Sequence, residues 1–413
     1  MSDLDLAAIR AQFPALARTV NGDPVLYLDG PGGSQVPQSV VAAITEYLIH
    51  SNANLGGAFD TSARTDQLLA DTRQAAADFT GSTAEEIAFG PNTTTLQFLL
   101  AHAAARTFSR GDEIIVTDLD HDSNISQWLR IGEDHGLVVR HAPIRPADGT
   151  LDIDALEALV TARTRVVACT LASNAFGTIP DTRRVSAAAH SVGALAWFDG
   201  VHYAPHRRID VKALGADVLF VSPYKFFGPH QGIAVIRRDL AETWPADRVR
   251  PAAETPAGHR FETGTQAHEL IAGVKAAIDY LASLGTGSTR GERLDDAYRR
   301  IGRHEDGLTE AALARLAEIP GLKVHGIVET HRIAERTPTF CFTIDGQTPR
   351  SVAAALGREG IYVANGNYYA LAPMIQFGLE GHGGGVRAGG LHYTTLEEID
   401  RMADALERVA AAR

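Results

Sequence analysis

Lys225 lies in Ser-Pro-Tyr-Lys-Phe-Phe-Gly-Pro-His-Gln-Gly (222–232), and Asp199 precedes it in Trp-Phe-Asp-Gly-Val-His (197–202). Each closes an apolar, strand-like run: 194–198 leads to the aspartate and 216–221 to the lysine segment. In an α/β protein, groups at the ends of parallel strands converge on the ligand crevice. A lysine amine with a carboxylate beside it is the pair that pyridoxal phosphate (PLP) requires. The amine forms a Schiff base, and the carboxylate keeps the pyridine nitrogen protonated so that the ring can act as an electron sink. Taken singly, a lysine after a strand is ordinarily solvated and a strand-end aspartate ordinarily caps the next helix. Further segments, in order along the chain, suit the same cofactor.

Gly90-Pro-Asn-Thr-Thr-Thr-Leu-Gln (90–97) follows a short strand and opens an apolar helix. Backbone N–H groups and threonine hydroxyls at a helix N-terminus make an anion site, so Thr93 and Thr94 form a phosphate cradle. Asn and Thr also serve as ordinary N-caps. His121, in Asp-Leu-Asp-His-Asp-Ser-Asn (118–124), could stack on the pyridine face and move protons near neutral pH. The acids around it invite a metal reading, but no second cluster follows at ligand spacing, and no metal is expected. Asn174, in Ser-Asn-Ala-Phe-Gly-Thr (173–178), could bond the cofactor's ring oxygen or a substrate carboxylate, or simply make an Asn-type turn. His202, three residues after Asp199, would reach the same ring oxygen.

The elements that position these groups alternate from about residue 65 to 236. Strands are expected at 87–89, 113–117, 138–142, 165–171, 194–198, 217–222 and 233–236, and helices at 66–79, 94–107, 123–135, 153–161 and 183–191. That alternation predicts a mostly parallel, seven-stranded sheet with helices on both faces. Before it, 39–50 has helical periodicity, and 52–65, rich in Asn, Gly and Thr, reads as a long loop. After it come a helical stretch over about 267–315, broken at 285–291, and a tail with strands at 322–325, 338–344 and 361–364 and helices at 348–358 and 395–412. The expected organisation is an N-terminal arm (1–23), a large cofactor-binding domain (24–285) and a small C-terminal α/β domain (286–413).

Net charge of −12 leaves no electrostatic footprint for nucleic acid or an anionic membrane. No apolar run approaches the roughly 20 residues that span a bilayer. The acidic, helix-like start does not read as a signal peptide. Cys169 and Cys341, the only two cysteines, fall in apolar strand-like runs, so no disulfide framework is expected. The default is a reduced, cytoplasmic enzyme.

Together these motifs resemble the class V aminotransferase group of fold-type I PLP enzymes, and within it the cysteine-desulfurase-like branch. The resemblance includes Asn21-Gly-x-Pro-x-x-Tyr-Leu-Asp29, Arg260-Phe-Glu-x-Gly-Thr265, Gly360-Ile-x-Val and Arg387-Ala through Tyr393-x-Thr-x-Glu-Glu-Ile-Asp. It implies that Lys225 carries the cofactor, Asp199 partners the pyridinium and His121 stacks. Thr93, Thr94, Ser222 and His202 would surround phosphate and ring oxygen, and Asn174 and Arg387 would meet the carboxylate of an amino-acid substrate. Thr265 would reach the phosphate of a neighbouring subunit, making the site depend on a homodimer.

Departures from the family pattern are informative. Cysteine desulfurases carry a nucleophilic cysteine on the loop after Gly360-Ile-Tyr-Val. Here the segment reads Ala-Asn-Gly-Asn-Tyr-Tyr-Ala-Leu (364–371), with Tyr369 in the cysteine's place. Ala364 stands where an arginine is common, His202 replaces a glutamine, and Tyr224 replaces the histidine before the lysine. The substrate pocket is therefore expected to be lined by Asn365, Asn367, Tyr368 and Tyr369. Three activities fit the residues: a C–S lyase working by β-elimination without an enzyme persulfide, an aminotransferase, or an epimerase. A non-catalytic protein on the PLP fold is disfavoured because Lys225, Asp199 and His121 are all retained.

Overall fold

The computed structural model describes residues 4–412; the first three residues of the expected arm and Arg413 lie outside the described residues. The central sheet has seven strands, in the spatial order Ile87–Gly90, Gly232–Ile236, Val218–Val221, Leu195–Asp199, Thr164–Thr170, Glu113–Thr117 and Val138–Ala142. Gly232–Ile236 runs antiparallel to both neighbours. The pairings among the last five strands are parallel. Strand residues sort alternately to two cores, as a two-residue period requires. Val166, Ala168, Trp197, Val218 and Phe220 pack beneath Thr93–Ala105 and Ser126–His135. Val167, Cys169, Phe198, Leu219 and Val221 pack into the opposite core. Burial on both faces is why the sequence shows near-continuous apolar runs here.

One helix starts earlier than its pattern predicts. The loop expected over 52–65 ends at Phe59, and Asp60–Thr80 is a single helix. Asp60 in its first turn complements the helix dipole, and Ser62 and Thr65 bond back to the preceding loop through Asn54 and Ser51 carbonyls. Polar residues that suggested a loop are thus ordering one.

His268–Ser283 packs against Gln38–His50 and Asp60–Thr80. The next helix, Arg290–Ala317, buries Leu294, Tyr298 and Ile301 in the core beside the large sheet, and Leu308, Ala312 and Leu316 in a third core. That third core covers one face of a four-stranded antiparallel sheet ordered Leu322–His325, Thr339–Ile344, Gly385–Gly389 and Ala364–Gly366. Phe340 and Phe342 enter this core, while Cys341 between them joins the core of the large sheet. The run expected as one strand over 361–364 divides: Ile361–Tyr362 pairs in parallel with Leu26–Tyr27, and Ala364–Gly366 pairs with Gly385–Gly389. Among the described residues no helix is long and apolar enough to cross a membrane.

Candidate active site

Four adjacent strands deliver four of the expected residues. Val218–Val221 leads into the short turn Pro223–Lys225, Leu195–Asp199 ends on Asp199, Thr164–Thr170 precedes Asn174, and Glu113–Thr117 precedes His121. Thr93 and Thr94 begin the helix that follows Ile87–Gly90. With His202 and Ser222, these residues line one cavity. Concave sites with a few convergent polar groups are where small molecules bind.

Lys225 is buried, and its Nζ donates to the carbonyl of Pro31, in the glycine-rich turn 30–33. Desolvation pushes the amine down to about 7, with the Arg387 charge adding to the shift and Asp199 opposing it. Burial pushes the Asp199 carboxyl the other way, upward. Asp199 accepts from Gln97 Nε2 at 2.9 Å and from the N–H of Val201 at 2.9 Å. A cationic nitrogen against this carboxylate would favour its charged form.

Asn92 is the N-cap of Thr93–Ala105, its Oδ1 accepting from the N–H of Thr95 at 2.8 Å. Thr93 and Thr94 occupy the first turn, where backbone N–H groups have no intrahelical acceptor. The Thr93 hydroxyl bonds Ser222 Oγ, joining this turn to the lysine segment. Gly232 makes that approach possible. A Cβ there would stand 2.4 Å from the Asn92 carbonyl carbon and 2.7 Å from the Thr93 nitrogen.

His121 accepts the N–H of Ser123 on Nδ1 at 3.1 Å, and burial pushes its pKa down to about 4, so the ring is neutral. His202 is held by Thr339 Oγ1 (3.0 Å) and Thr337 Oγ1 (3.3 Å) at Nε2, while its Nδ1 is buried without a partner. Asn174 donates from Nδ2 to the Tyr368 carbonyl at 2.9 Å and leaves a buried, unpartnered Oδ1. Arg387, on Gly385–Gly389, donates to the Asn174 carbonyl at 2.8 Å and lies 4.3 Å from the centre of the Tyr368 ring.

Four expected residues stand outside that cavity's lining. Thr265 is exposed, outside the cavity, in the segment before His268–Ser283. Asn365 is exposed on Ala364–Gly366. Tyr369 is 75% exposed, at the mouth, where its ring meets His121 at 5.6 Å. Asn367 donates to Glu380 at 3.2 Å.

Sequence reasoning missed Gln97, one helical turn beyond Thr93, and Asp120. Asp120 is fully buried between Thr117, which donates its hydroxyl, and Asn124, and burial lifts its pKa to about 8. The acids flanking His121 each have their own partners: Asp118 takes His141 and Gln376, and Asp122 takes Ser126. No group of three or more His, Cys, Asp and Glu among the described residues could hold a metal.

The donor set suits PLP. A depressed amine, a buried carboxyl raised by desolvation, a helix N-terminus with two hydroxyls and unpartnered polar atoms on Asn174 and His202 surround one cavity.

Comparison with known proteins agrees. The family model for class V aminotransferases matches residues 26–402. A cysteine desulfurase of Pectobacterium atrosepticum is 33% identical over 97% of both chains. An aminotransferase-like protein of Gibberella zeae is 33% identical over 99% of both. The apo structure of a cysteine desulfurase from Thermococcus onnurineus superposes with a TM-score of 0.89 at 27% identity, covering all of both chains. The chain belongs to the class V aminotransferase family.

Proposed function

We propose that this member of the class V aminotransferases is a PLP-dependent C–S lyase that eliminates the β-substituent of a cysteine-like amino acid without storing sulfur on a protein thiol. PLP is the cofactor of the family, and it supplies the electron sink at the substrate's α-carbon. The observation that carries the reading is the cavity itself: Asp199 ends one strand and Lys225 closes the turn that follows its neighbour, with their pKa values displaced in opposite directions.

In this reading Lys225 Nζ would leave the Pro31 carbonyl to hold the cofactor, and the same amine would exchange the proton of the substrate's α-carbon. An amine near 7 is suited to that exchange, because neither protonation state is costly at neutral pH. Asp199 would keep the cofactor's ring nitrogen protonated, with Gln97 and the Val201 N–H fixing the carboxylate's orientation. Neutral His121 would serve as the stacking ring. Thr93, Thr94 and Ser222 would hold the phosphate, and His202 Nδ1 would be the group for the ring oxygen. Arg387 would meet the substrate's carboxylate, for which the guanidinium fork is suited, with Asn174 beside it holding that guanidinium through its backbone carbonyl. Thr265, exposed and remote from its own cavity, fits a role at the phosphate of a second subunit, so the working form is a homodimer.

Sulfur transfer through a protein thiol is disfavoured. Cys169 and Cys341 are 0% exposed, and burial raises both thiols, Cys341 to about 12. Thiolate is the nucleophilic form, so both are poor acceptors. The 33% identity to an aminotransferase-like protein keeps transamination as the second reading, since it uses the same residues and returns the proton elsewhere. Incubating holoenzyme with an amino-acid panel separates them. Pyruvate, ammonia and sulfide or thiol identify the lyase, whereas pyridoxamine phosphate and an oxo acid identify the transaminase. No turnover of any amino acid would reject both.

A further inference from the structure

A second, more open chamber adjoins the cofactor cavity and shares Thr94, His121, Ser123 and Tyr224 with it. We infer that this chamber receives the side chain of the amino-acid substrate and that the side chain carries an aromatic ring. The inference rests on the PLP reading above, because it requires the substrate's α-carbon to be held beside Lys225. Its β-substituent then leaves the cavity past His121 and Tyr224.

The chamber adds Phe98 and Tyr369 to those shared walls. Tyr224 is stacked on His230 with ring centres 4.9 Å apart and planes 7° apart, which fixes its face. Tyr369 lies against His121 at 39°. The polar groups present are already engaged: Asp122 accepts from Ser126, and Ser123 bonds His121 at 2.8 Å. An anionic side chain would find no cation in these walls, whose formally charged group is the Asp122 carboxylate, whereas a ring would meet three aromatic walls. Aromatic pairs prefer offset or tilted arrangements, which walls at differing angles provide.

The backbone at the mouth is held to this arrangement. Tyr368 and Tyr369 both adopt left-handed conformations, with φ of 58° and 57°. Such geometry is uncommon for residues other than glycine, and most so for bulky ones. It is over-determined here. The Asp122 N–H donates to the Tyr369 carbonyl at 2.6 Å, Asn174 donates to the Tyr368 carbonyl, and the Tyr369 N–H donates to Asn367 Oδ1 at 3.2 Å. Strain maintained in this way beside a reactive centre fixes one ring in place. The thiol of free cysteine would leave that ring, 75% exposed, almost uncovered.

The test is spectral titration of the holoenzyme with L-alanine, L-cysteine and S-benzyl-L-cysteine. S-benzyl-L-cysteine should bind at least tenfold more tightly than L-alanine, a difference of about 1.4 kcal/mol. Tyr369→Ala and Phe98→Ala should each reduce that ratio at least threefold, and Tyr369→Phe, which keeps the ring, should preserve it. Cofactor content and circular dichroism confirm that each variant is folded. Equal affinity for alanine and the benzyl conjugate would overturn the inference, and so would a ratio unchanged in both alanine variants. If no amino acid perturbs the wild-type spectrum, the PLP reading itself falls. If alanine binds without preference for the ring, only the present inference falls.

Discussion

Lys225 and Asp199, on the floor of the cavity, follow neighbouring parallel strands and are 8% and 4% exposed; Tyr369, at its mouth, is 75% exposed on a backbone carried by two left-handed residues. The floor is positioned by sheet register and by cores on both faces, so its geometry is fixed before any ligand arrives. The mouth is positioned by three hydrogen bonds, two of which cross between segments distant in sequence. Substitutions on the floor should therefore abolish chemistry while the fold persists, and substitutions at the mouth should change which substrate is preferred.

The largest expected effect is on the floor. Lys225→Ala should remove the visible absorbance of the bound cofactor and lower turnover to background. Borohydride reduction and peptide mapping of the wild type should place the pyridoxyl group on Lys225. Labelling of Lys212 in its place would transfer the site elsewhere and end the comparison.

Asp199→Asn comes next. It keeps a hydrogen-bonding group beside Gln97 but removes the charge that holds a proton on the ring nitrogen. The loss in kcat should be on the order of 10²–10³-fold, as for other preorganised electrostatic groups, with cofactor still bound. Near wild-type rates would make Asp199 a structural residue.

The two regions also differ in how far they could be read from sequence. Lys225, Asp199, Asn174 and His121 are legible because each follows an apolar run at a strand end, where chain geometry leaves few alternatives. Gln97 was hidden in an apolar helix, where helical spacing from Thr93 was the only signal. Asp120 was hidden between two other acids, Asp118 and Asp122, and only its complete burial separates it from them. At the mouth, Gly385–Gly389 is a short strand with glycine at both ends in a glycine-rich tract, and Leu371–Gln376 contains Pro373, so local propensity argued against both. Left-handed tyrosines cannot be anticipated from residue type, because the contacts that hold them come from Asp122 and Asn174, far away in sequence.

A smaller effect should separate Asp120 from its exposed neighbours. Its carboxyl is raised to about 8 in the fold from 3.8. The native state thus binds more protons than the unfolded chain between those values. Its contribution to stability is complete below about pH 4 and declines as pH rises through 8, by at most about 1.4 kcal/mol per pH unit. Asp120→Asn, which has no proton to lose, should flatten the stability profile of the apoenzyme between about pH 4 and 8. Chemical denaturation at several pH values measures it. An unchanged slope would place the titration elsewhere.

The smallest expected effect concerns sulfur. The structure adds something to what sequence implied about the two cysteines: both lie directly behind the site. Cys169 Sγ contacts the Thr170 carbonyl at 3.3 Å and feels the charge of Asp120. Cys341 lies beneath Tyr368, whose ring covers Arg387, and a Cβ on Gly385 would stand 2.5 Å from its Sγ. Proximity alone would invite a persulfide role, but neither thiol has solvent-accessible surface and burial disfavours both thiolates. A Cys169→Ser, Cys341→Ser double variant should therefore keep the wild-type specific activity when folded. Each buried hydroxyl costs about 1–3 kcal/mol if it finds no partner, so stability must be followed alongside rate. Alanine variants lose volume without adding a polar group and provide the control. Iodoacetamide should leave the folded enzyme active. If one cysteine were alkylated rapidly with parallel loss of activity, or if mass spectrometry trapped a persulfide on either, the thiols would belong to the reacting floor of the site and the thiol-independent lyase would be wrong.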